Sequence, residues 1–380
     1  MRILLINYEY PPVGAGAGNA TAHMARALVT LGHRPVVLTA AYDSLPARAE
    51  FDGILVLRIP AKRARADRSN LFEMGTYVGS AAFALPSVIR TEKPDAAIVF
   101  FSMPCGPLGL LARWLAKIPY VVSLRGGDVP GTEPGLKFMY ALLAPLRRLV
   151  LRKATAVVAN SEGLKSLCQA ADSIDVAVIP NGVDTDFFGP AAAREDRPFT
   201  FLFVGRFQPQ KNLPFLLQSV AALRRQSATP FRVVLVGDGP MQPELRRQSC
   251  ALALDDIVSW HGWCDKEQLL TLYQHADCFL NPSLYEGMPN TVLEAMACGL
   301  PVIASAVPGN DALVEHGESG LLFQLGDARS LTTPMYDLLI APTTARSFGE
   351  RGRRRMLAAF SWRKVADEYV ALFAPASGKV

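Results

Sequence analysis

Two glutamates, Glu286 and Glu294, stand eight positions apart in the stretch 285–305, YEGMPNTVLEAMACGLPVIAS. Between them run Gly287, Met288, Pro289, Asn290, Thr291 and Val292. This run cannot be helical at its start: Gly287 admits unusual backbone angles, Pro289 suits a first helical turn, and Asn290 or Thr291 can cap. A helix therefore begins near 289–291, stops at Gly299-Leu300-Pro301, and gives way to a short buried strand at 302–304. Unpaired amides at a helix start suit an anion, and carboxylates suit hydroxyls. A phosphorylated sugar offers both. Carboxylates repel a diphosphate unless cations stand nearby, and the stretch 203–212, FVGRFQPQKN, supplies Arg206 and Lys211 after an apolar strand that ends at Gly205. Two full charges match a diphosphate, which a helix dipole of roughly half a charge does not.

The elements that must position these groups read as α/β throughout. A strand at 3–6, the glycine-rich Gly14-Ala15-Gly16-Ala17-Gly18, a helix over about 19–31 and a strand at 35–39 open a doubly wound domain. The spacing is G-x-G-x-G, and no acidic residue stands at the tip of the second strand, which argues against a dinucleotide-binding dehydrogenase. Apolar runs at 54–59, 96–101, 120–124, 156–159 and 176–179 predict a buried parallel sheet. Arg125 and Asp128, beside two glycines at the end of one of these strands, are candidates for contact with an acceptor or a transferred sugar; the alternative is a surface turn with a local ion pair. A linker is expected over 189–198, with the boundary near 190. Strands at 199–204, 231–236, 257–260 and 278–281 follow. Their turns, Gly205-Arg206, Gly237-Asp238-Gly239 and Gly262-Trp263-Cys264, share the carboxyl edge of a second sheet. Trp260 and Trp263 fit either a core or a site. Asp184-Thr185-Asp186 spells D-x-D, but it leaves the first sheet in a loop and is discounted as a metal site.

The totals bound the rest. A chain of 380 residues is long for one core, and a net charge of +5 is too small to argue for nucleic acid. The six cysteines form no C-x-x-C pair, which predicts a reduced cytoplasmic protein with buried thiols. The N-terminus is too weakly apolar for a signal peptide. Segment 135–153, GLKFMYALLAPLRRLVLRK, has five basic residues and no acidic one. With a second basic run, Lys62-Arg63-Ala64-Arg65, it suits an anionic membrane surface, although its apolar residues also suit a core. Arg351 to Arg355 reads as a solvated helix face, and Ser361 as the N-cap of a last helix.

Taken in order, the G-R turn, the lysine five positions on, and E-G-x-P-x-x-x-x-E-A-x-A-x-G-x-P-V-I-A resemble glycosyltransferase family 4, retaining enzymes of the GT-B fold. The likeness covers nearly the whole chain. It implies two Rossmann-like doubly wound domains facing each other across a cleft: 1–189 for the acceptor, 190–360 for the donor, and a terminal helix, 361–380, crossing back to the first domain. It implies a hexosyltransferase that uses a nucleotide-diphosphate sugar and a hydroxyl acceptor, a glycan, a lipid-linked intermediate or a small molecule, in cell-surface polysaccharide synthesis. Arg206 and Lys211 would stabilise the departing diphosphate, helped by amides from Gly287 to Val292 and at Gly16. Glu294 would hold the ribose, Glu286 the transferred sugar, Gly237 and Asp238 would lie close by, and the backbone at Trp263 and Cys264 would meet the base. Gly16 takes the second place of the usual G-G pair and Ala15 replaces the first, while Arg125 stands where many relatives have histidine. Closure about 180–195, attack from the leaving-group face and no metal cofactor are further implications. So is a cytoplasmic location, free or peripheral on the inner membrane. The competing readings are a GT-B epimerase or hydrolase and a non-catalytic nucleotide-sugar-binding scaffold at the membrane.

Overall fold

The computed structural model describes residues 1–14, 16–66, 69–132, 137–192 and 197–374. Ala15, Gly135, Leu136, the end of the 361–380 segment, and 193–196 of the expected linker and hinge therefore lie outside the described residues. The chain divides into two compact units, Met1–Gly182 with the described part of Trp362–Val380, and Val183–Ser361. The division falls ahead of the expected 190 because Val183 and Phe188 are already buried in the core of the second unit.

In unit 1 the chain runs β1 (Arg2–Ile6), α1 (Gly16–Thr30), β2 (Arg34–Ala40), β3 (Arg48–Phe51), β4 (Ile54–Ile59), α2 (Leu71–Glu92), β5 (Ala96–Phe100) and α3 (Gly106–Ala116). It continues through β6 (Tyr120–Ser123), α4 (Lys137–Lys153), β7 (Ala156–Ala159), α5 (Glu162–Asp172) and β8 (Ala177–Val178). The sheet order among the described residues is β3-β4-β2-β1-β5-β6-β7-β8, with every neighbouring pair parallel except β3 with β4. Strands covered on both faces must be apolar along their whole length, and β5 and β6, AAIVF and YVVS, are buried at every residue. Helix α1 begins at Gly16, three residues earlier than expected. Gly18, which reads as loop, is a buried helical residue whose Cβ would stand 2.8 Å from the Val13 carbonyl oxygen.

The last helix, α12 (Trp362–Ala371), belongs to this unit. Its Val365, Ala366 and Tyr369 join Ile3, Leu5, Met24 and Ile98 in one buried cluster, and the Tyr369 hydroxyl lies 2.7 Å from Ser123 Oγ. Trp362 stacks on His23 at 5.6 Å between ring centroids.

Unit 2 runs β9 (Phe199–Val204), α6 (Leu213–Gln226), β10 (Phe231–Val236), α7 (Gln242–Ala251), β11 (Val258–His261), α8 (Lys266–Gln274) and β12 (Cys278–Asn281). Then come α9 (Asn290–Ala297), β13 (Val302–Ser305), β14 (Gly320–Phe323), α10 (Arg329–Ile340) and α11 (Pro342–Ala359). Its sheet is parallel throughout, in the order β11-β10-β9-β12-β13-β14. Among the described residues no helix is long and apolar enough to cross a membrane.

Helix α11 backs α9 and the turn after it so closely that a Cβ at Gly349 would run into the Gly299 carbonyl oxygen, whereas one at Gly352 meets the flexible end of Met296 at 3.4 Å and Ser319 Cβ at an ordinary 3.6 Å. Alanine gains up to about 1 kcal/mol over glycine inside a helix, while overpacking costs about 1–3 kcal/mol. Gly349→Ala is therefore expected to lower the melting temperature and Gly352→Ala to leave or raise it. Equal melting curves for the two variants would show that α11 does not press on α9.

Candidate active site

The residues singled out around the two glutamates gather at the carboxyl edge of the unit 2 sheet. Gly205 and Arg206 follow β9, and a tight 3-10 turn, Pro209–Lys211, follows them. Arg206 is exposed. Gly237, after β10, has φ +131°, and a Cβ there would meet the Gly205 carbonyl oxygen, so the two turns abut only because glycine stands at 237. Asp238 Oδ1 accepts the Gly239 amide at 2.6 Å. After β11, Trp263 is 82% exposed. Trp260 instead packs edge-on against Phe207 at 5.9 Å, with the Arg246 guanidinium 5.2 Å from its ring centroid. Trp260 thus packs half-buried against the core, and Trp263 does not.

The turn after β12 carries Glu286. Lys211 Nζ donates to its Oε1 at 2.6 Å, and the side chains are only 14% and 7% exposed. The Ser283 hydroxyl lies 2.7 Å from the same oxygen and 3.0 Å from Asn281 Oδ1. Asn281 Nδ2 donates to Asn310 Oδ1 at 2.8 Å, and Asn310 Nδ2 donates to the Ser305 carbonyl at 3.0 Å. A relay of buried amides and hydroxyls from β12, β13 and the 308–311 loop therefore fixes the Glu286 carboxylate. Gln210 ties the Lys211 turn to the same loop: its Nε2 donates to the Tyr285 carbonyl, and its own carbonyl accepts the Leu284 amide, both at 2.8 Å. Tyr273, Asn281, Ser283 and Asn310 were not anticipated from sequence. The only hint is that Asn281 and Ser283 break an otherwise apolar strand end, CFLNPS.

Helix α9 has Pro289 at its N-cap and no side-chain cap hydrogen bond, so neither Asn290 nor Thr291 takes the capping place expected of them. Pro289 has no N–H to satisfy, and the helix opens with its amide end unclaimed by a capping side chain. Glu294 lies one turn in, where its Oε2 accepts from the Tyr273 hydroxyl at 2.9 Å. Burial outweighs that hydrogen bond and the charge of Lys266, and pushes the carboxyl up to about 7.

Family models match both units: one described as "Glycosyl transferase 4-like domain" over residues 15–182, the other as "Glycosyl transferases group 1" over 184–355. A UDP-Gal:alpha-D-GlcNAc-diphosphoundecaprenol alpha-1,3-galactosyltransferase of Escherichia coli is 30% identical over 65% of this chain and 67% of its own. The chain belongs to this glycosyltransferase family. Along its full length it is 27% identical to an MMP alpha-(1->4)-mannosyltransferase of Mycolicibacterium hassiacum, covering 100% of this chain and 99% of that one. Its fold is that of the solved sucrose-phosphate synthase of Thermosynechococcus elongatus, a GT-B protein, with a TM-score of 0.79, 24% identity and 98% of each chain covered. It is a hexosyltransferase that draws on a nucleotide-sugar donor.

The remaining candidates of this glycosyltransferase lie in unit 1 or at the margin of unit 2. Gly16 is the first residue of α1, with open space where a Cβ would stand. The Asp128 carboxylate is occupied by backbone, accepting the amides of Ser102 at 2.6 Å, Arg125 at 2.9 Å and Gly126 at 3.1 Å. Arg125 stacks over the Phe100 ring, 4.8 Å from its centroid, and donates to Asn181 Oδ1 at 2.6 Å. The local Arg–Asp contact is thus a backbone one, and the guanidinium braces the end of the first sheet. Asp184 of the D-x-D run binds Lys266 Nζ at 3.0 Å, and among the described residues no three His, Cys, Asp or Glu side chains gather with metal-holding geometry. Of the 351–355 arginines, Arg354 is exposed, as expected of a solvated face, whereas Arg353 and Arg355 are engaged by protein. Arg353 donates to the carbonyls of Thr185, Phe188 and Ala297 at 2.7–2.8 Å, and Arg355 to Ala312 and Leu313 at 3.1 Å. They tie α11 to the end of α9 and to loop carbonyls.

The raised Glu294 carboxyl has a pH signature. Its proton is retained on folding between the ordinary carboxylate range and about 7, so the stability it contributes is full at low pH and declines as pH rises through that window. Glu294→Gln is expected to melt higher than the parent at pH 8, by about 1–3 kcal/mol in stability, with the gap closing toward pH 4.5. Parallel melting curves across that range would remove the buried charge from the account.

Proposed function

We propose that this glycosyltransferase transfers a hexosyl unit, with retention of anomeric configuration, to a hydroxyl of a glycan or lipid-linked acceptor in cell-surface polysaccharide assembly. The observation that carries the reading is the Lys211–Glu286 pair, set with Arg206 and Glu294 along one sheet edge. A diphosphate reaching that edge competes with Glu286 for the Lys211 ammonium and meets Arg206 as a second cation. Both favour the state in which negative charge builds on the leaving oxygen, and fixed charges of this kind are the largest source of rate in many enzymes. The amide end of α9, without a side-chain cap, adds its partial positive charge. Glu286, held by Ser283, orients hydroxyls of the hexose, and Glu294 accepts from the ribose hydroxyls. Gly237, Asp238, Trp263 and Cys264 border the nucleotide.

The bond from the anomeric carbon to the diphosphate oxygen breaks as the acceptor oxygen bonds on the same face, and the acceptor's proton passes to the departing phosphate. With the proton taken by the leaving group, no side chain need act as base, and Arg206 and Lys211 take the part a divalent ion would otherwise play. Helix α4 adds a surface argument. Phe138 and Leu142 are 82% and 68% exposed on a helix that carries no acidic residue, a composition suited to an anionic bilayer surface.

Lys211→Ala is expected to lower kcat about 10²–10³-fold in a protein that still folds but melts lower than the parent, and the anomeric coupling in the product's proton spectrum should match that of the donor. An inverted product would refute retention. Turnover is also expected to persist in excess EDTA; loss of activity that magnesium or manganese restores would return a metal to the mechanism.

A further inference from the structure

Unit 1 contains a groove of about 760 Å³ between α2 and α4, floored by Tyr8, Phe101 and Gly127 at the carboxyl edge of its sheet. Its walls are hydrocarbon: Met74 and Val78 from α2, Leu143 and Leu146 from α4. Among the described residues, the charged ones lining it are Asp128 and Arg147, and both have their charges answered elsewhere. Asp128 holds the three backbone amides described above, and Arg147 pairs with Asp172 at 2.7 Å, with side chains 3% and 1% exposed. A sugar, which needs hydrogen-bonding partners along its length, finds few here; a hydrocarbon chain finds a matching surface.

The groove opens onto more apolar surface. Leu71 and Leu146 line it and are themselves 55% and 39% exposed, and Phe72, Phe138 and Leu142 continue the exposed apolar surface on the same two helices. A positive charge stands beside this surface: Lys62 Nζ sits 5.6 Å from the Phe72 ring centroid. An apolar slot with a cation beside its exposed apolar margin is complementary to a hydrocarbon chain bearing an anionic head. We infer that the groove between α2 and α4 holds the hydrocarbon chain of an anionic lipid-linked acceptor. The inference rests on the transferase reading and selects the lipid-linked class from the acceptors it allows.

The test is binding to the full chain, with the donor site saturated by whichever of UDP, GDP or ADP raises its melting temperature. The probes are isopentenyl, geranyl and farnesyl diphosphate, with dodecyl phosphate to separate an acyl from an isoprenoid source and inorganic pyrophosphate as the head alone. Affinity is expected to rise about tenfold or more from the five-carbon to the fifteen-carbon probe. Met74→Trp, which fills the groove, should reverse that gain, and so should Leu71→Asp, at an exposed position that folding does not need. Both variants should bind the donor nucleotide as the parent does. Affinity indifferent to chain length, or unchanged in both variants, overturns the inference. So does binding only to phosphatidylglycerol vesicles that Met74→Trp leaves intact, since that is surface attachment alone. Should chain binding fail while the parent still transfers hexose, the groove assignment falls by itself. Should chain binding hold while no hexose is transferred to any acceptor, the proposed reaction falls by itself.

Discussion

The ion pair between Lys211 and Glu286 is the constraint around which unit 2 is arranged. Two charges 2.6 Å apart and largely out of water lose much of their hydration, and removing one leaves the other stranded at a cost of about 3–5 kcal/mol. Such a pair adds little net stability compared with a well-packed apolar one. It makes sense as a way of storing two opposite charges where a substrate will later separate them. Ser283, Asn281 and Asn310 support the carboxylate, and Gln210 supports the turn that carries the lysine, so neither charge moves freely toward solvent.

The two glutamates of the 285–305 stretch show how environment separates one chemical group into two roles. Glu286 has an ammonium in direct contact. Glu294 has a neutral phenol instead, and Lys266, a cation whose charge reaches it, is itself paired with Asp184. One carboxylate serves a place of fixed charge. The other is poised to exchange its proton near neutrality, so its hydrogen-bonding character depends on the ligand beside it.

How much of this was readable in the chain depended on whether the deciding contact was local. Buried parallel strands announce themselves as unbroken apolar runs, so AAIVF and FTFLFV were legible. Strand β3, Arg48–Phe51, was not. It is a short, largely exposed antiparallel edge with no apolar face to reveal it, and its only local signal is the Asp52-Gly53 turn, where both residues have positive φ. That Lys211 stands near Glu286 follows from the need for cations beside the carboxylates, but their direct ion pair was not read from the sequence, and the Asn281–Ser283–Asn310 relay joins residues up to 29 positions apart and could be found only in three dimensions. The same holds for Arg353, whose charge suggested solvent but whose partners are carbonyls from two distant segments. Asp128 likewise looks like a ligand contact in sequence and acts as a backbone clamp in space.

Helix α12 gives the chain an unusual order of completion. Ile3, Leu5, Met24 and Ile98, near the beginning of the chain, are sealed by Val365, Ala366 and Tyr369, near its end. During synthesis, at roughly 5–20 residues per second, that apolar face stays unsheltered while the whole of unit 2 emerges and folds. The first unit therefore completes its core only after the second unit has been made. A chain that stops short of α12 carries a finished second unit and a first unit whose Ile3, Leu5, Met24 and Ile98 lack their cover.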